Sequence, residues 1–330
     1  MSGERTPRAT VLLVTFNQAT FVAEAVQSAL AQDYPNLQII ISDDSSTDDT
    51  FKVARKAIDN YSGAHRILLR RTTRNLGLIA HLYEAARLAD GELIIIAAGD
   101  DISYSHRVRA LVDEWQKTRA TALCSGWDVC DPSGAIVCRD NVGGRSDLRF
   151  GAYFPGRKFI QIIGATAAYT PEVFDLVPQP TNEVFAEDLY FSLILRYLDC
   201  VITEVPLALI QYRQHGNALT NHENQRSVAE YEQVVSRGSL RITTLLRAVQ
   251  HTIDETEQSS KNASGSINHL ALGEDIAFNE FRSGWVDAGP AKRMKAFLRF
   301  RDPSHRRWIG PRLFGLVAFV RIKKLLRRAS

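Results

Sequence analysis

A chain of 330 residues, 45% of them hydrophobic, can bury a full α/β core with room for a smaller appendage. The formal net charge of +3 conceals an asymmetry: residues 292–328 carry thirteen Lys/Arg and one acid, Asp302, a net of +12, and the other 27 basic and 36 acidic residues give −9. The polar start Met1-Ser2-Gly3-Glu4-Arg5-Thr6 argues against a secretory signal and no run of eighteen apolar residues predicts a spanning helix, so a cytosolic body is expected.

Residues 1–9 read as a polar leader, after which strand and helix patterns alternate. Val11–Val14 is a strand that leads into the loop Thr15-Phe16-Asn17, and Val22, Ala25, Val26, Ala29 and Leu30 recur at helical spacing. A strand over 37–42 follows, then Ser46 and Asp49, spaced like a capping box, before a helix with Phe51, Ala54 and Ile58. Ile67-Leu68-Leu69 is a third strand. A helix over about 78–89 is expected to stop at Gly91 as its C-terminal cap, with a strand over 93–97 directly after. Repeated units of this length predict a mostly parallel sheet with helices on both faces.

Beyond a helix near 106–118, short strands surround the turn Asp131-Pro132-Ser133-Gly134, and the loops at 143–145 and 154–157 read as irregular. Residues 185–197 are helical in pattern, and 201–212 reads as a strand, a break at Val205-Pro206 and another strand. Residues 221–257 form a helical extension, in one helix or two, and Ser/Asn/Gly-rich 258–266 a linker. The remainder, 267–330, is a helical tail, basic and amphipathic. The four cysteines, Cys124, Cys130, Cys138 and Cys200, lack paired CxxC spacing and read as buried small apolar residues.

Two aspartate pairs, Asp43-Asp44 and Asp100-Asp101, end two apolar strands and place four carboxylates at one sheet edge. Clustered like charges repel and dehydrate badly, so the fold is not expected to need them there, and a partner such as a metal-bound nucleotide is expected to join them. Open sheets of this kind bind ligands beyond the carboxyl ends of their strands, where Thr15 and Asn17 also fall. No G-x-G-x-x-G follows the first strand and no phosphate loop occurs, so a metal or side chains must neutralise phosphates.

Several segments occur together in order: Val14-Thr15-Phe16-Asn17-Gln18, Ala31 to Asn36, Ser42-Asp43-Asp44 through Thr50, Asn75-Leu76-Gly77, Gly91-Glu92, Gly99-Asp100-Asp101, Glu187-Asp188 and Tyr212-Arg213-Gln214-His215. In this the chain resembles the nucleotide-sugar-dependent glycosyltransferases of family 2, with the GT-A fold, over about residues 10–216, which implies a GT-A catalytic domain over 10–220. The resemblance implies an inverting sugar transfer to a glycan or lipid-linked hydroxyl, with a UDP-linked donor as the family-level preference and Mn²⁺ or Mg²⁺ as cofactor. Asp100 matches the last aspartate of the family's D-x-D signature and would ligate the metal; Ala98 stands where that signature has its first aspartate. Asp188, preceded by Glu187, matches the general base. Asp43 and Asp44, with Thr15 and Asn17, match the nucleoside contacts, Asp101 lies beside the donor, and His215 falls near the diphosphate or metal.

Arg213 either steadies phosphate or pairs with a local acid, and Gly164 to Tyr169 resembles an acceptor-side strand. A catalytically silent GT-A domain stays open because of Ala98, whereas a glycosidase is disfavoured by Asp43 at a strand end. Residues 291–328 interleave cations with Trp308, Phe314 and Phe319, which predicts peripheral attachment to the cytoplasmic membrane face. Docking of this tail on the catalytic domain is the rival. No nucleic-acid partner is expected, and oligomer formation stays open.

Overall fold

The computed structural model describes residues 5–141, 160–177, 179–180, 187–215, 228–259, 269–285, 287–300, 305 and 309. The chain divides into two compact units, residues 1–144 with 160–221 and residues 145–159 with 222–330. The first holds a nine-stranded sheet.

In that unit β1 (Ala9–Thr15) is central and runs parallel to β2 (Leu37–Asp43) on one side and β4 (Leu93–Ala98) on the other; β3 (Arg66–Arg71) extends the parallel part beyond β2. The connecting helices are α1 (Val22–Leu30), α2 (Thr50–Ile58) and α3 (Leu78–Ala86). Leu13, Ile39, Ile41 and Ile95 form one core with Val26 of α1, Ala54 of α2 and Val108, Leu111 and Val112 of α4 (Arg107–Thr118). β1, β2 and β4 are buried on both faces, which explains their largely apolar sequences, whereas β3 at the edge is partly exposed.

Past β4 the sheet turns mixed. β8 (Ala168–Tyr169) lies antiparallel between β4 and β6 (Ala122–Cys130), β6 pairs with β7 (Ile136–Asn141) and with β9 (Ile202–Arg213), and the two-residue β5 (Ile102–Ser103) closes the far edge on β9. A 3₁₀ turn, Gly164–Thr166, precedes β8; α5 (Val173–Leu176) and α6 (Glu187–Tyr197) follow it.

Four expectations change. The break at Val205-Pro206 is a bulge inside one strand: the register against β6 passes from Ser125↔Val205 to Gly126↔Ala208, which is where a proline without an N–H is tolerated. α3 ends at Ala86, and Gly91 caps nothing. Gly91 is required because a Cβ there would sit 2.5 Å from the Thr10 backbone nitrogen, and its own N–H donates to Thr10 Oγ1 at 3.0 Å. Ser46 and Asp49 form no capping box, since Ser46 turns toward Asn17 and Asp43 and Asp48 accepts the Thr50 N–H at 3.0 Å instead. Of the cysteines, all free, Cys124 and Cys130 are buried, but Cys138 is exposed and Cys200 half-buried.

The second unit is helical among its described residues. α7 (Val228–Ser259) is one helix of 32 residues and carries Gln258 and Ser259, the start of the expected linker; the linker's other residues lie outside the described ones. Ile242, Leu245, Leu246, Val249 and Ile253 are buried along α7, which packs on α8 (His269–Ser283). Phe278, Trp285, Phe300 and Ile309 form a small core with Ala296 of α9 (Pro290–Arg299). No described helix is long and apolar enough to cross a membrane. The loops at 143–145 and 154–157 and most of the basic tail beyond Phe300 lie outside the described residues.

Candidate active site

The parallel strands end together. Thr15 is the register partner of Asp43, and the Asp44 N–H donates to the Thr15 carbonyl at 2.9 Å, so the loops after β1 and β2 leave side by side. Asn17 takes a left-handed backbone (φ 51°); its N–H donates to Ser46 Oγ at 2.9 Å and its Oδ1 accepts the Thr47 N–H at 2.8 Å. Ser45 is also left-handed, at φ 58°. Two non-glycine residues strained in adjoining loops are what a rigid ligand-facing rim requires.

Asp43 is fully buried. Its Oδ2 accepts the Ser46 N–H at 3.0 Å and lies 3.2 Å from Arg71 Nε, and its Oδ1 accepts the Ser46 hydroxyl. Asp44, also buried, accepts the Leu76 and Gly77 N–H groups at 2.9 Å each and the Thr72 hydroxyl at 3.2 Å. Asp44 thereby shapes the Asn75-Leu76-Gly77 loop, in which Gly77 sits at φ 78°.

β4 delivers the second pair. Gly99 must be glycine, because a Cβ there would lie 2.4 Å from Gln18 Oε1 and 2.6 Å from Thr15 Oγ1; the β4 end therefore presses on the β1 loop. Asp100 follows, and its Oδ2 lies 3.1 Å from His215 Nε2. Asp101 is buried and accepts the Arg213 N–H at 2.8 Å, and burial, followed by the Asp100 charge, pushes its carboxyl well above the ordinary carboxylate range. Three of the four carboxyl groups thus serve the fold, contrary to expectation: Asp43 and Asp44 trade water for N–H and hydroxyl donors, and Asp101 for the Arg213 N–H.

Arg213 has no exposed side-chain surface. Its Nε donates to the Asp100 carbonyl at 2.9 Å, its Nη1 to the Pro132 carbonyl at 2.7 Å and its Nη2 to Glu24 Oε2 at 2.7 Å, while Phe21 lies beneath its guanidinium at 4.9 Å and beside the His215 ring at 4.7 Å. A guanidinium so committed does not reach a phosphate. The acid it pairs with is Glu24 of α1, a neighbour in space though 189 positions away, so of the two expected roles for Arg213 the ion pair holds and the phosphate contact does not.

The remaining acids start α6. Asp188 Oδ1 accepts the Leu189 N–H at 2.7 Å and Oδ2 the Gly164 N–H at 3.4 Å, and Glu187 Oε1 lies 2.9 Å from where a Gly164 Cβ would stand. The Gly164–Thr166 turn joins β4 through β8, since the Ile96 N–H donates to the Ala167 carbonyl at 2.9 Å. Ile96 precedes Asp100 by four residues. Burial, and then the Asp188 and Glu187 charges, pushes the Tyr169 hydroxyl well above its ordinary value. Sequence reasoning missed Arg71, Arg107, Phe21 and Glu24 and named Arg213 without its partner; residues within helix or strand patterns gave no sign of their contacts.

Asp100 and His215 offer one carboxylate oxygen and one imidazole nitrogen at hydrogen-bond spacing, both partly exposed. That donor set fits Mn²⁺ better than Mg²⁺, which favours oxygen ligands. In the second unit Asp254, Glu257 and His269 also bring ligand atoms within 4.8 Å of one another, but all three are exposed, as acidic groups without an ion commonly are.

Residues 10–147 match the model of glycosyl transferase family 2. Over those residues, fewer than half of the chain, the sequence is similar to that family. The putative glycosyltransferase EpsE of Bacillus subtilis is 31% identical over 113 residues, 34% of this chain and 40% of the relative. An uncharacterized protein of Mycobacterium tuberculosis is 31% identical over 224 residues, 63% of this chain and 59% of the relative. The matched stretches therefore span well under two thirds of these relatives. Among solved structures, TarS 1–349 of S. aureus in complex with UDP-GlcNAc superposes with a TM-score of 0.53 at 16% identity, over 92% of this chain and 79% of that one. The mannosyltransferase PcManGT of Pyrobaculum calidifontis, in complex with GDP-Man and Mn²⁺, gives 0.53 at 17% identity, over 98% and 88%. These likenesses show the fold, which is of the GT-A type expected for family 2 members.

Proposed function

We propose that the chain is an inverting glycosyltransferase that moves a sugar from a nucleotide diphosphate donor to a hydroxyl of a glycan or lipid-linked acceptor in cell-surface polysaccharide synthesis. The observation that carries this reading is the hanging of two acid sites from one strand: Asp100, paired with His215, at the end of β4, and Asp188 bonded to the turn that pairs with β4. Residues 10–220 would form the catalytic domain, 221–257 a helical extension and 267–330 the tail, and the division of the chain after residue 221 supports that outline.

In this reading Asp188 accepts the proton of the acceptor hydroxyl; its place in the first turn of α6 favours the ionised form it needs. Glu187 adds negative charge beside it. Asp43, with Thr15 and Asn17, forms the nucleoside side of the site, where a carboxylate can exchange its Ser46 donor for a base N–H. Asp44 acts through the loop it folds, and Asp101 through its bond to the Arg213 backbone. Asp100 and His215 would hold a divalent ion, Mn²⁺ or Mg²⁺, which when bound supplies charge neutralisation for a diphosphate leaving group. UDP is the family-level preference for the donor; the TarS and PcManGT complexes hold UDP-GlcNAc and GDP-Man respectively.

Release of nucleoside diphosphate from a panel including UDP-GlcNAc and GDP-Man, with Mn²⁺ or Mg²⁺ and candidate acceptors, tests the reaction. Turnover by the wild type and its loss in Asp100→Ala and Asp188→Ala is the expected result. A wild type silent across the panel would favour a second reading, a nucleotide-sugar-binding scaffold, to which Ala98 at the first position of the acidic signature lends support. Peripheral attachment to the cytoplasmic membrane face is supported by α9, where exposed Met294 and Leu298 stand among Lys292, Lys295 and Arg299. Flotation with anionic liposomes, with and without residues 291–330, checks it, and equal behaviour of the two forms would remove the attachment.

A further inference from the structure

Arg107 opens α4 with only 2% of its surface exposed. Its Nη2 donates to the Ile96 carbonyl at 2.7 Å and to the Ala165 carbonyl at 2.8 Å, and its Nη1 donates to Ser103 Oγ at 2.9 Å. One guanidinium therefore joins β4, the Gly164–Thr166 turn and β5. Its Nε finds no acceptor among the described residues. Burial holds its pKa down to about 10, against the pull of Asp101 in the other direction.

A buried cation serves stability poorly compared with an apolar side chain of similar volume, so its presence here points to geometry. The geometry is specific. Ala165, whose carbonyl Arg107 takes, is the chain neighbour of Gly164, whose N–H reaches Asp188, and Ile96 stands four residues before Asp100. One nitrogen, Nη2, takes both carbonyls while Nη1 of the same rigid plane takes Ser103 Oγ, a three-acceptor geometry that neither a lysine nor an apolar residue reproduces.

We infer that Arg107 is a positioning residue that fixes the turn hydrogen-bonded to Asp188 against the strand leading to Asp100, and so sets the gap in which donor and acceptor meet. The inference rests on the roles proposed above for those two acids. A displacement of about 1 Å in such a gap can cost on the order of 100-fold in rate without weakening donor binding.

Arg107→Lys and Arg107→Met are compared with wild type in three measurements: UDP and Mn²⁺ binding by calorimetry, donor turnover across the panel, and hydrogen exchange of the peptides spanning 163–166 and 187–189. Expected are UDP affinity within about threefold of wild type, kcat lower by about tenfold or more with donor KM unchanged, and faster exchange in both peptides. Unchanged kcat in both variants overturns the inference. So does a fall of kcat in step with UDP binding, or loss of the folded far-UV signal in both variants, each of which assigns Arg107 to structure alone. A wild type that turns over no donor overturns the transferase reading itself; the exchange data then still decide whether Arg107 holds the turn, and unchanged exchange in the variants overturns that as well.

Discussion

Asp100 Oδ2 and His215 Nε2 stand 3.1 Å apart although 115 positions separate them in the chain. β4 and β9 end at the same place because β5, two residues past Asp100, pairs with Gln211 and Ile210 of β9. If this pair holds the ion, His215→Ala and Asp100→Asn should each lower Mn²⁺-dependent turnover by about 100-fold or more, and chelation by EDTA should do the same to the wild type. Mn²⁺ titrations followed by nucleotide release check both, and turnover indifferent to EDTA would refute the assignment.

Asp188→Asn keeps the size of the side chain and an oxygen for the Leu189 N–H, but it cannot take a proton. Turnover should fall by about 10² to 10⁴, the ordinary weight of a general base, with donor KM unchanged. Glu187→Gln should cost far less. Steady-state kinetics at saturating acceptor separate the two, and equal losses would move the base elsewhere.

Two glycines probe crowding near to and far from the site. Gly91→Ala places a methyl 2.5 Å from the Thr10 backbone nitrogen, and Gly99→Ala places one 2.4 Å from Gln18 Oε1 and 2.6 Å from Thr15 Oγ1. Each should destabilise by about 1–3 kcal/mol, as overpacking does. Only Gly99→Ala should also weaken UDP binding, because only it moves Thr15. Thermal melts with calorimetry read both effects.

His81 shares a 2.6 Å hydrogen bond with Ser42 Oγ inside the fold, and burial, outweighing the pull of Asp44, holds its pKa below the ordinary 6.5. The folded state thus binds fewer protons here than the unfolded chain. Its contribution to stability is complete above the unfolded value and is lost as pH falls below it, through the folded value. Urea midpoints at roughly pH 7.5 and pH 5.5 should show a loss in the wild type that shrinks in His81→Gln. An identical loss in the two proteins would assign the effect to other groups.

The parallel half of the sheet was legible because Val11–Val14, 39–41 and 93–97 are unbroken apolar runs and the helices between them carry apolar residues at helical spacing. β5 and β8 were not, since two-residue strands such as Ile102-Ser103 carry no period. The positions of Thr15, Asp43 and Asp100 at the strand ends followed from the pattern. Their bonds did not, because whether a carboxylate faces a ligand or a backbone N–H depends on loops from elsewhere in the chain: Asp44 is satisfied by Leu76 and Gly77, and Asp101 by Arg213, more than thirty and one hundred positions away. The buried arginines were hidden for the same reason. Residue type does not separate Arg107, deep in the fold, from Arg109 two residues along, whose side chain is about half exposed.

The Pro132 carbonyl and the Asp100 carbonyl share a single guanidinium, that of Arg213. The tip of the β6–β7 hairpin is thereby yoked to the loop that follows β4, and lengthening or recoding Asp131–Gly134 amounts to retuning the proposed catalytic centre from outside it. Anyone transplanting this hairpin between relatives would be exchanging a tuning peg rather than an ornament.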